Sequence, residues 1–271
     1  MVGLRGRVPT YADRTDAGRA VARAVLSDAR LRGEFDDPAD PIAQFSTIAA
    51  GPTRDGPTEA PLVLALPRGG VPVAVPVARA LRAELGALAV RRILVPNRRE
   101  LAMGAVAALS GSTRTVRRAD IVGEYGVSEA AFTQAAEVAS AECAALARRY
   151  AGAHPPDLVQ RCVVLVDDGL ATGATMTAAA ELLTTVGVRR LIVAVPVAAP
   201  SAVRWLSAAV SGVVVVCPLQ PAQFRAVSQV YRDFSEPDDG EIVAALTTAD
   251  PIASRDPGRA EHDDRAQSGD R

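Results

Sequence analysis

A short apolar run that ends in two aspartates is the feature of this sequence that most restricts its fold. Residues 163–166 read Val-Val-Leu-Val and lead directly into Asp167 and Asp168. Continuous apolar runs of this length are typical of parallel strands that are buried on both faces, and open parallel sheets bind ligands beyond the carboxyl ends of their strands. We therefore expect both carboxylates to face a ligand cleft.

The residues that follow the two acids predict a phosphate-binding turn. They are small or carry a hydroxyl group: Gly169, Ala171, Thr172, Gly173, Ala174 and Thr175. An Ala- and Leu-rich helix is predicted next, from Met176 to Val186. Backbone N–H groups at the start of a helix can bind a phosphate, and Thr hydroxyls add donors. With the carboxylates as acceptors for two vicinal hydroxyls, the motif fits a ribose 5-phosphate.

A second turn, rich in glycine, follows the first clear strand at residues 62–66. It consists of Pro67, Arg68, Gly69 and Gly70 and leads into a helix that is predicted to run through Gly86. Paired glycines let backbone amides approach an anion closely. A Gly-Gly turn also has a purely structural interpretation, but its place upstream of the acid pair favours a second anion-binding loop, with Arg68 as its cation.

Together these residues resemble the phosphoribosyl pyrophosphate signature of type I phosphoribosyltransferases, in which an apolar run, an acidic pair and Thr-Gly-x-Thr follow one another. The resemblance implies phosphoribosyl pyrophosphate as substrate, Mg²⁺ as cofactor and release of pyrophosphate on transfer to a nitrogen acceptor. It implies that Asp167 and Asp168 are catalytic residues that hold the ribose hydroxyls and, through water, the metal. It also implies that Gly169 and residues 171–175 bind the 5-phosphate, and that Arg68, Gly69 and Gly70 bind the pyrophosphate.

The alternation of strands and helices predicts an α/β fold: a doubly wound, mostly parallel sheet flanked by helices, with small accessory elements at both ends. Further elements are expected as strands at Ala87–Val95, Val188–Val197 and Val213–Val216, and as helices at Ser128–Tyr150 and Pro200–Ala209. The stretch 100–105, Asp13-Arg14 and the segment 224–231 resemble a subgroup of predicted bacterial phosphoribosyltransferases without an assigned acceptor. The resemblance thus covers one domain, residues 11–248. Residues 34–60 are expected to form a surface loop and residues 249–271 a disordered tail.

Composition excludes several kinds of chemistry. All 30 basic residues are Arg, so the chain has no P-loop lysine, no pyridoxal Schiff base and no lysine general base. The two His residues, at positions 154 and 262, are too few for a histidine metal cluster or a convincing catalytic relay, so a metal would need carboxylates. The net charge of -1 gives no electrostatic argument for nucleic-acid binding.

The cysteines and the apolar runs bear on the cellular environment. Cys143, Cys162 and Cys217 lack the spacing of metal ligands and are interpreted as buried thiols in a reducing cytoplasm. Pro, Arg or Gly interrupts each apolar run before it reaches the length of a membrane span, so a soluble, cytoplasmic protein without a membrane partner is expected.

Several assignments have alternatives at this point. Arg91, Arg92, Arg98 and Arg99 compete as further diphosphate ligands. Phe224 or Tyr231 could stack on a planar acceptor or simply cover the sheet, and residues 110–127 predict either an active-site lid or a connecting hairpin. The small-molecule acceptor is unknown, and a homodimer is left open. A non-catalytic sensor of phosphoribosyl pyrophosphate or a nucleotide is the alternative function, and a hydrolase of phosphorylated nucleosides is a third.

Overall fold

The computed structural model describes residues 10–31, 34–35, 60–109, 111–150 and 158–248, with only the backbone of residues 99 and 100. Most of the predicted surface loop, at 36–59, and the predicted tail, at 249–271, therefore lie outside the described residues.

The helices are α1 Arg14–Ser27, α2 Gly70–Leu81, α3 Ala119–Glu124, α4 Glu129–Tyr150, α5 Ala174–Val186, α6 Pro200–Ala209 and α7 Asp239–Thr248. The strands are β1 Leu62–Ala65, β2 Glu84–Ala87, β3 Ala89–Val95, β4 Arg98–Leu109, β5 Ser112–Arg117, β6 Cys162–Val166, β7 Arg190–Ala194 and β8 Val214–Val216.

Five strands form a parallel sheet in the order β2-β1-β6-β7-β8. The prediction of a doubly wound, mostly parallel sheet flanked by helices is confirmed. All residues of β1 and β6 are buried, as expected for strands that are covered on both faces. The chain runs outward from β1 to β2 and returns to place β6 on the other side of β1, so the sheet has its topological switch point between β1 and β6. Ligands of such sheets bind in the crevice at this point.

The region between residues 82 and 95 differs from the prediction. The helix does not run through Gly86 but ends at Leu81, where Arg82 adopts a left-handed conformation with φ of 49°. The predicted strand Ala87–Val95 is two strands in different sheets, because β2 joins the parallel sheet and β3 pairs with β4. Neither glycine nor proline marks the boundary at Leu88, so the local pattern contains no signal for the change of sheet.

Strands β3, β4 and β5 form a separate antiparallel sheet in the middle of the chain. Successive residues of β4 point to opposite sides: Val106 and Ala108 join the core beneath α4, whereas Ala105 and Ala107 join the core beneath α5. Within the predicted lid or hairpin at 110–127, the structure has the hairpin strand β5 and the short helix α3. No helix in the described part of the chain combines the length and the apolar character that a bilayer span requires.

Helix α1 packs directly on α2, and this contact brings the start of α1 to the switch point. The two helices approach so closely at Gly18 that a Cβ atom there would lie 2.5 Å from Cγ of Pro76 and would overlap the carbonyl oxygen of Val73. Asp13 caps α1 by accepting a hydrogen bond from the Asp16 N–H at 2.8 Å. Because α2 begins beside the end of β1, the first turn of α1 is held there as well.

Candidate functional site

The acid pair lies at the switch point, immediately after β6. Ala65 at the end of β1 is paired with Val166 at the end of β6, so the turns that follow the two strands are neighbours. The Asp168 N–H donates to Oδ1 of Asp167 at 2.8 Å, which fixes the first carboxylate against the backbone of the second. The structure therefore places both predicted acids at the edge of the sheet where ligands of this fold class bind.

The two carboxyl groups have different electrostatic surroundings. Burial raises the pKa of Asp167 well above its ordinary value, and the adjacent charge of Asp168 raises it further. Burial also raises the pKa of Asp168, but the guanidinium of Arg14 opposes this increase. A cation or a hydrogen-bond donor that enters the site would therefore stabilise the ionised form of Asp167 more than that of Asp168.

The turn after the acids has the backbone that a phosphate site needs. Gly173 has φ of 85°, a left-handed conformation that glycine adopts without steric cost, and α5 begins at Ala174, two residues before the predicted start at Met176. The first N–H groups of a helix lack partners within the helix, and here they are at the ligand edge of the sheet. Thr172 is exposed and Thr175 is half-buried, so the turn itself is accessible. We refer to residues 169–175 as the phosphate loop.

One side of the phosphate loop is supported by a Trp–Arg pair that the sequence did not identify. A Cβ atom on Gly173 would lie 3.0 Å from Cε3 of Trp205. The Arg118 guanidinium stacks on the Trp205 ring at 4.5 Å from its centroid and donates to the Thr172 carbonyl oxygen at 2.9 Å. Asp120 holds the same guanidinium through a salt bridge of 2.7 Å. Arg118 therefore ties the segment after β5 to the phosphate loop.

The glycine-rich turn after β1 contacts the acid pair directly. A Cβ atom on Gly69 would overlap Oδ2 of Asp168, and one on Gly70 would lie 2.7 Å from the Val166 carbonyl oxygen. Both positions thus require glycine because of close approach. The peptide bond between Pro67 and Arg68 is cis. We refer to residues 67–70 as the diphosphate loop, after the role that its sequence predicts.

In this structure Arg68 is paired with carboxylates of the C-terminal segment. Its Nη2 lies 2.5 Å from Oε1 of Glu236, and its Nη1 lies 4.0 Å from Oδ1 of Asp239. Asp239 also accepts a hydrogen bond from the Tyr150 hydroxyl at 2.7 Å and forms a salt bridge of 2.6 Å with Arg149. Arg68, the predicted diphosphate ligand, thus lies adjacent to the acid pair, but its guanidinium is already paired with Glu236 and Asp239.

Arg14 also lies at this site, and the sequence assigned no role to it. Its Nε and Nη2 lie 2.9 Å and 2.7 Å from the same oxygen, Oδ2 of Asp168. The Asp13-Arg14 pair contributed to the family resemblance, but nothing in the local sequence connects it with an acid 154 positions away. Only the packing of α1 on α2 brings the two residues together.

Tyr231 and Phe234, in the aromatic C-terminal segment, are part of the packing around the acid pair. Residues 230–236, which we call the strap, pair with residues 10–12 through hydrogen bonds such as that from the Arg232 N–H to the Tyr11 carbonyl oxygen at 2.9 Å. Tyr231 is buried and donates its hydroxyl hydrogen bond to the Asp168 carbonyl oxygen at 2.7 Å. Its ring stacks at a tilt on Phe234, with centroids 4.9 Å apart. The Tyr231 hydroxyl thus contacts the backbone of the acid pair, and Phe224 packs against the core. The packing of Phe224 agrees with the interpretation that it covers the sheet.

The arginines around β3 and β4 have partners outside the two loops. Arg91 lies 3.7 Å from Glu142 on α4, and Arg98 stacks on Tyr125 at 5.0 Å. These partners belong neither to the acid pair nor to the diphosphate loop. The structure therefore gives no support to Arg91 or Arg98 as diphosphate ligands.

Comparison with known proteins gives consistent matches. Residues 42–226 match the model of the phosphoribosyl transferase domain. Two proteins from two strains of Mycobacterium tuberculosis are each 35% identical over 240 residues and carry the name "Putative phosphoribosyl transferase"; the match covers 88% of this chain and 47% of theirs. The chain thus spans about half the length of these relatives. The crystal structure of the protein TT1426 from Thermus thermophilus has a TM-score of 0.63 at 35% identity and covers 89% of this chain and 99% of that one.

Proposed function

Because the chain belongs to the phosphoribosyl transferase domain family, we propose that it binds phosphoribosyl pyrophosphate with Mg²⁺ and transfers the phosphoribosyl group to a nitrogen acceptor, releasing pyrophosphate. The observation that carries the proposal is the convergence of the acid pair, the phosphate loop and the diphosphate loop at one switch point. Each part matches one part of the substrate: vicinal hydroxyls, a monophosphate and a diphosphate.

The ribose 5-phosphate half would lie across the acid pair and the phosphate loop. Asp167 and Asp168 accept hydrogen bonds from the two ring hydroxyls, and charged acceptors make stronger hydrogen bonds than neutral ones. The N–H groups at the start of α5 and the Thr172 and Thr175 hydroxyls donate to the 5-phosphate. Binding the sugar at both ends fixes its anomeric carbon, and such orientation supplies a large part of many rate accelerations.

The diphosphate would bind at the loop after β1. As the bond to the anomeric carbon breaks, negative charge develops on the departing diphosphate and positive charge develops on the sugar ring. Arg68 and the Gly69 N–H group stabilise the first, whereas the Gly70 N–H already donates to the Leu66 carbonyl oxygen at 3.0 Å and would contribute only by close approach. The carboxylates stabilise the second through their negative field. To bind the diphosphate, the Arg68 guanidinium must release its ion pair with Glu236.

The acid pair has the donor chemistry of a Mg²⁺ site that the substrate completes. Mg²⁺ prefers oxygen ligands and is commonly held by one or two carboxylates together with substrate phosphates and water. The described residues contain no group of three or more metal-binding side chains, so the fit is to such a shared site. Asp167 is the better candidate, because Arg14 already contacts Asp168. When bound, Mg²⁺ would neutralise diphosphate charge.

A ligand-induced thermal shift tests the binding half of the proposal. Phosphoribosyl pyrophosphate with Mg²⁺ at about 100 times its Kd should stabilise the protein by about 2.7 kcal/mol, because it binds only the native state. Changing Asp167 and Asp168 together to Asn should abolish the shift. Changing Glu124 and Glu137 to Gln removes the same charge from exposed helical positions and should preserve it. A full shift in the Asp variant would place the sugar elsewhere.

Turnover is tested separately. Pyrophosphate release is measured with purines, pyrimidines and small amines as acceptors, in the presence of Mg²⁺. Acceptor-dependent release supports a transferase, and release without any added acceptor supports hydrolysis. Tight binding without release under either condition would favour the sensor function that the sequence left as an alternative.

A further inference from the structure

Arg118 connects the antiparallel sheet with the phosphate loop. It follows β5 directly, and its backbone N–H donates to the Met103 carbonyl oxygen of β4 at 2.9 Å, so its backbone is anchored to that sheet. Its side chain is 17% exposed, and its Nη1 donates to the Thr172 carbonyl oxygen at 2.9 Å. The antiparallel sheet therefore contacts the phosphate loop through a hydrogen bond of defined direction.

Two further partners hold the Arg118 guanidinium. Nε and Nη2 donate to the two carboxylate oxygens of Asp120 at 3.0 Å and 2.7 Å, and the group stacks on the half-buried ring of Trp205. A bidentate carboxylate and an aromatic face together restrict the plane of a guanidinium. Because Asp120 balances its charge, the feature of Arg118 that matters at the phosphate loop is the direction of its Nη1–H group.

The Thr172 carbonyl group belongs to the peptide unit that joins Thr172 to Gly173. In a trans peptide unit the C=O and N–H groups point in opposite directions, so the bond from Arg118 directs the Gly173 N–H to the other side of the loop. Gly173 itself does not select this orientation, because glycine adopts positive and negative φ with similar ease. Its φ of 85° therefore needs a restraint from outside the loop, which Arg118 supplies.

We propose that Arg118, clamped by Asp120 and Trp205, is a positioning residue for the 5-phosphate site. It fixes the peptide unit between Thr172 and Gly173 so that the Gly173 N–H is presented to the phosphate, without touching the ligand itself. The inference rests on the proposed function and deepens it. A loop whose backbone is already ordered binds its ligand at a lower entropic cost than one that must be ordered on binding.

The test compares Arg118→Met with Arg114→Met. Methionine keeps an apolar stem beside Trp205 but cannot donate a hydrogen bond to Thr172. Arg114 on β5 is exposed, and its Nε donates to Glu181 of α5 at 2.7 Å. Its substitution is a matched control, because it removes another link between β5 and α5 without changing a contact of the phosphate loop. Arg118→Lys, which restores a donor, tests for rescue.

The first readout needs no ligand. The nuclear Overhauser effect between the Thr172 Hα and the Gly173 amide proton depends on the orientation of the peptide unit between them. This effect should be the same in the wild type and Arg114→Met. It should change in Arg118→Met, because the reversed peptide orientation becomes populated, and should return toward the wild-type value in Arg118→Lys.

The second readout is the Kd for ribose 5-phosphate and for phosphoribosyl pyrophosphate, from calorimetric titration. Both ligands carry the 5-phosphate, so Arg118→Met should weaken both by the same factor, about tenfold for one misdirected hydrogen bond to a charged group. Arg118→Lys should recover most of the affinity, and Arg114→Met should bind like the wild type. A residue that served stability alone would lower the melting temperature without changing the Overhauser effect or either Kd.

The outcomes separate this proposal from the proposed function. An unchanged Overhauser effect in Arg118→Met overturns the positioning role, whether or not a ligand binds. A changed effect with wild-type affinity for both ligands contradicts it as well. If the effect changes but the wild type binds neither ligand, the proposed function fails and the control of the peptide unit by Arg118 remains.

A second variant keeps the proposal testable if Arg118→Met does not fold. Asp120→Ala changes a side chain that is 62% exposed and removes the carboxylate that clamps the guanidinium. The Overhauser effect between Thr172 and Gly173 should change in this variant too. A wild-type value would show that the clamped guanidinium does not orient the peptide unit and would overturn the proposal.

Discussion

Arg68 and Glu236, which are 168 positions apart in the chain, form an ion pair across the entrance of the acid pair. The Arg68 Nε donates to Glu236 Oε1 at 2.9 Å, and Nη2 reaches the same oxygen at 2.5 Å. Glu236 is 60% exposed and Arg68 is 38% exposed. A carboxylate of the strap thus occupies the guanidinium that we assign to the diphosphate, and a bound diphosphate would have to displace it.

Glu236→Gln should therefore strengthen the binding of phosphoribosyl pyrophosphate. Exposed ion pairs contribute about 0.2–1 kcal/mol, so removing this competitor should lower the Kd by a factor of about 1.5 to 5. Calorimetric titration at low salt measures the gain, which should shrink at higher salt because screening weakens the exposed pair. Glu137→Gln on α4 is the control and should leave the Kd unchanged. Weaker binding by Glu236→Gln would identify Glu236 as part of the ligand site.

Arg68→Ala should discriminate between two ligands. Only phosphoribosyl pyrophosphate presents a diphosphate to this side chain, whereas ribose 5-phosphate does not. A hydrogen bond to a charged group contributes about 1.5–3 kcal/mol, and the exposure of Arg68 places the expected loss at the lower end of this range. Titration of both ligands measures the difference. Equal losses for the two would show that Arg68 acts on the structure of the loop.

Asp167→Asn should raise the thermal stability of the ligand-free protein and remove its response to phosphoribosyl pyrophosphate. Burial and the charge of Asp168 raise the pKa of Asp167 in the folded state. A raised pKa gives a stability contribution that is present below the pKa of the unfolded chain, about 3.9, and is lost as the pH rises through the folded value. Asn has no such loss, so the melting temperature of the variant relative to the wild type should increase as the pH rises above about 4.

The control for this effect is Asp13→Asn, at the exposed cap of α1, where an amide can also accept the capping hydrogen bond. Its difference from the wild type should show no comparable rise over the same pH range. A constant or falling difference for Asp167→Asn would mean that the carboxyl group is not penalised in the folded protein.

Gly69→Ala should damage the site through a single methyl group. The added Cβ would overlap Asp168 Oδ2 and lie 3.2 Å from the Arg14 Nε, so the carboxylate must move. Overpacking of this kind costs about 1–3 kcal/mol of unfolding free energy, and binding of phosphoribosyl pyrophosphate should fall with it. Gly123→Ala in α3 has open space around its Cβ and should preserve both binding and stability. Wild-type binding by Gly69→Ala would show that Asp168 can shift without cost.

The agreement between sequence and structure is best where the determining interactions are local. The strand β6, the two acids, the phosphate loop and α5 follow one another within residues 162–186, and the predicted start of α5 was wrong by only two residues. The extent of α6, Pro200–Ala209, was predicted correctly because proline at its first position and its apolar face lie within the helix. The assignment of ligand roles to these residues stays a prediction.

The sequence by itself determined that two acids would end a buried strand, and that a glycine and two threonines would follow them at a helix start. Backbone geometry, burial on both faces and the pairing of helix N–H groups act over a few residues and leave a pattern in the chain. Only the tertiary structure decided that Arg14 contacts Asp168 and that Glu236 contacts Arg68. The packing of α1 and the strap on the switch point makes these two pairs. The partners are separated by 154 positions in the first pair and by 168 positions in the second, and contacts at such separations leave no local pattern from which they could be predicted.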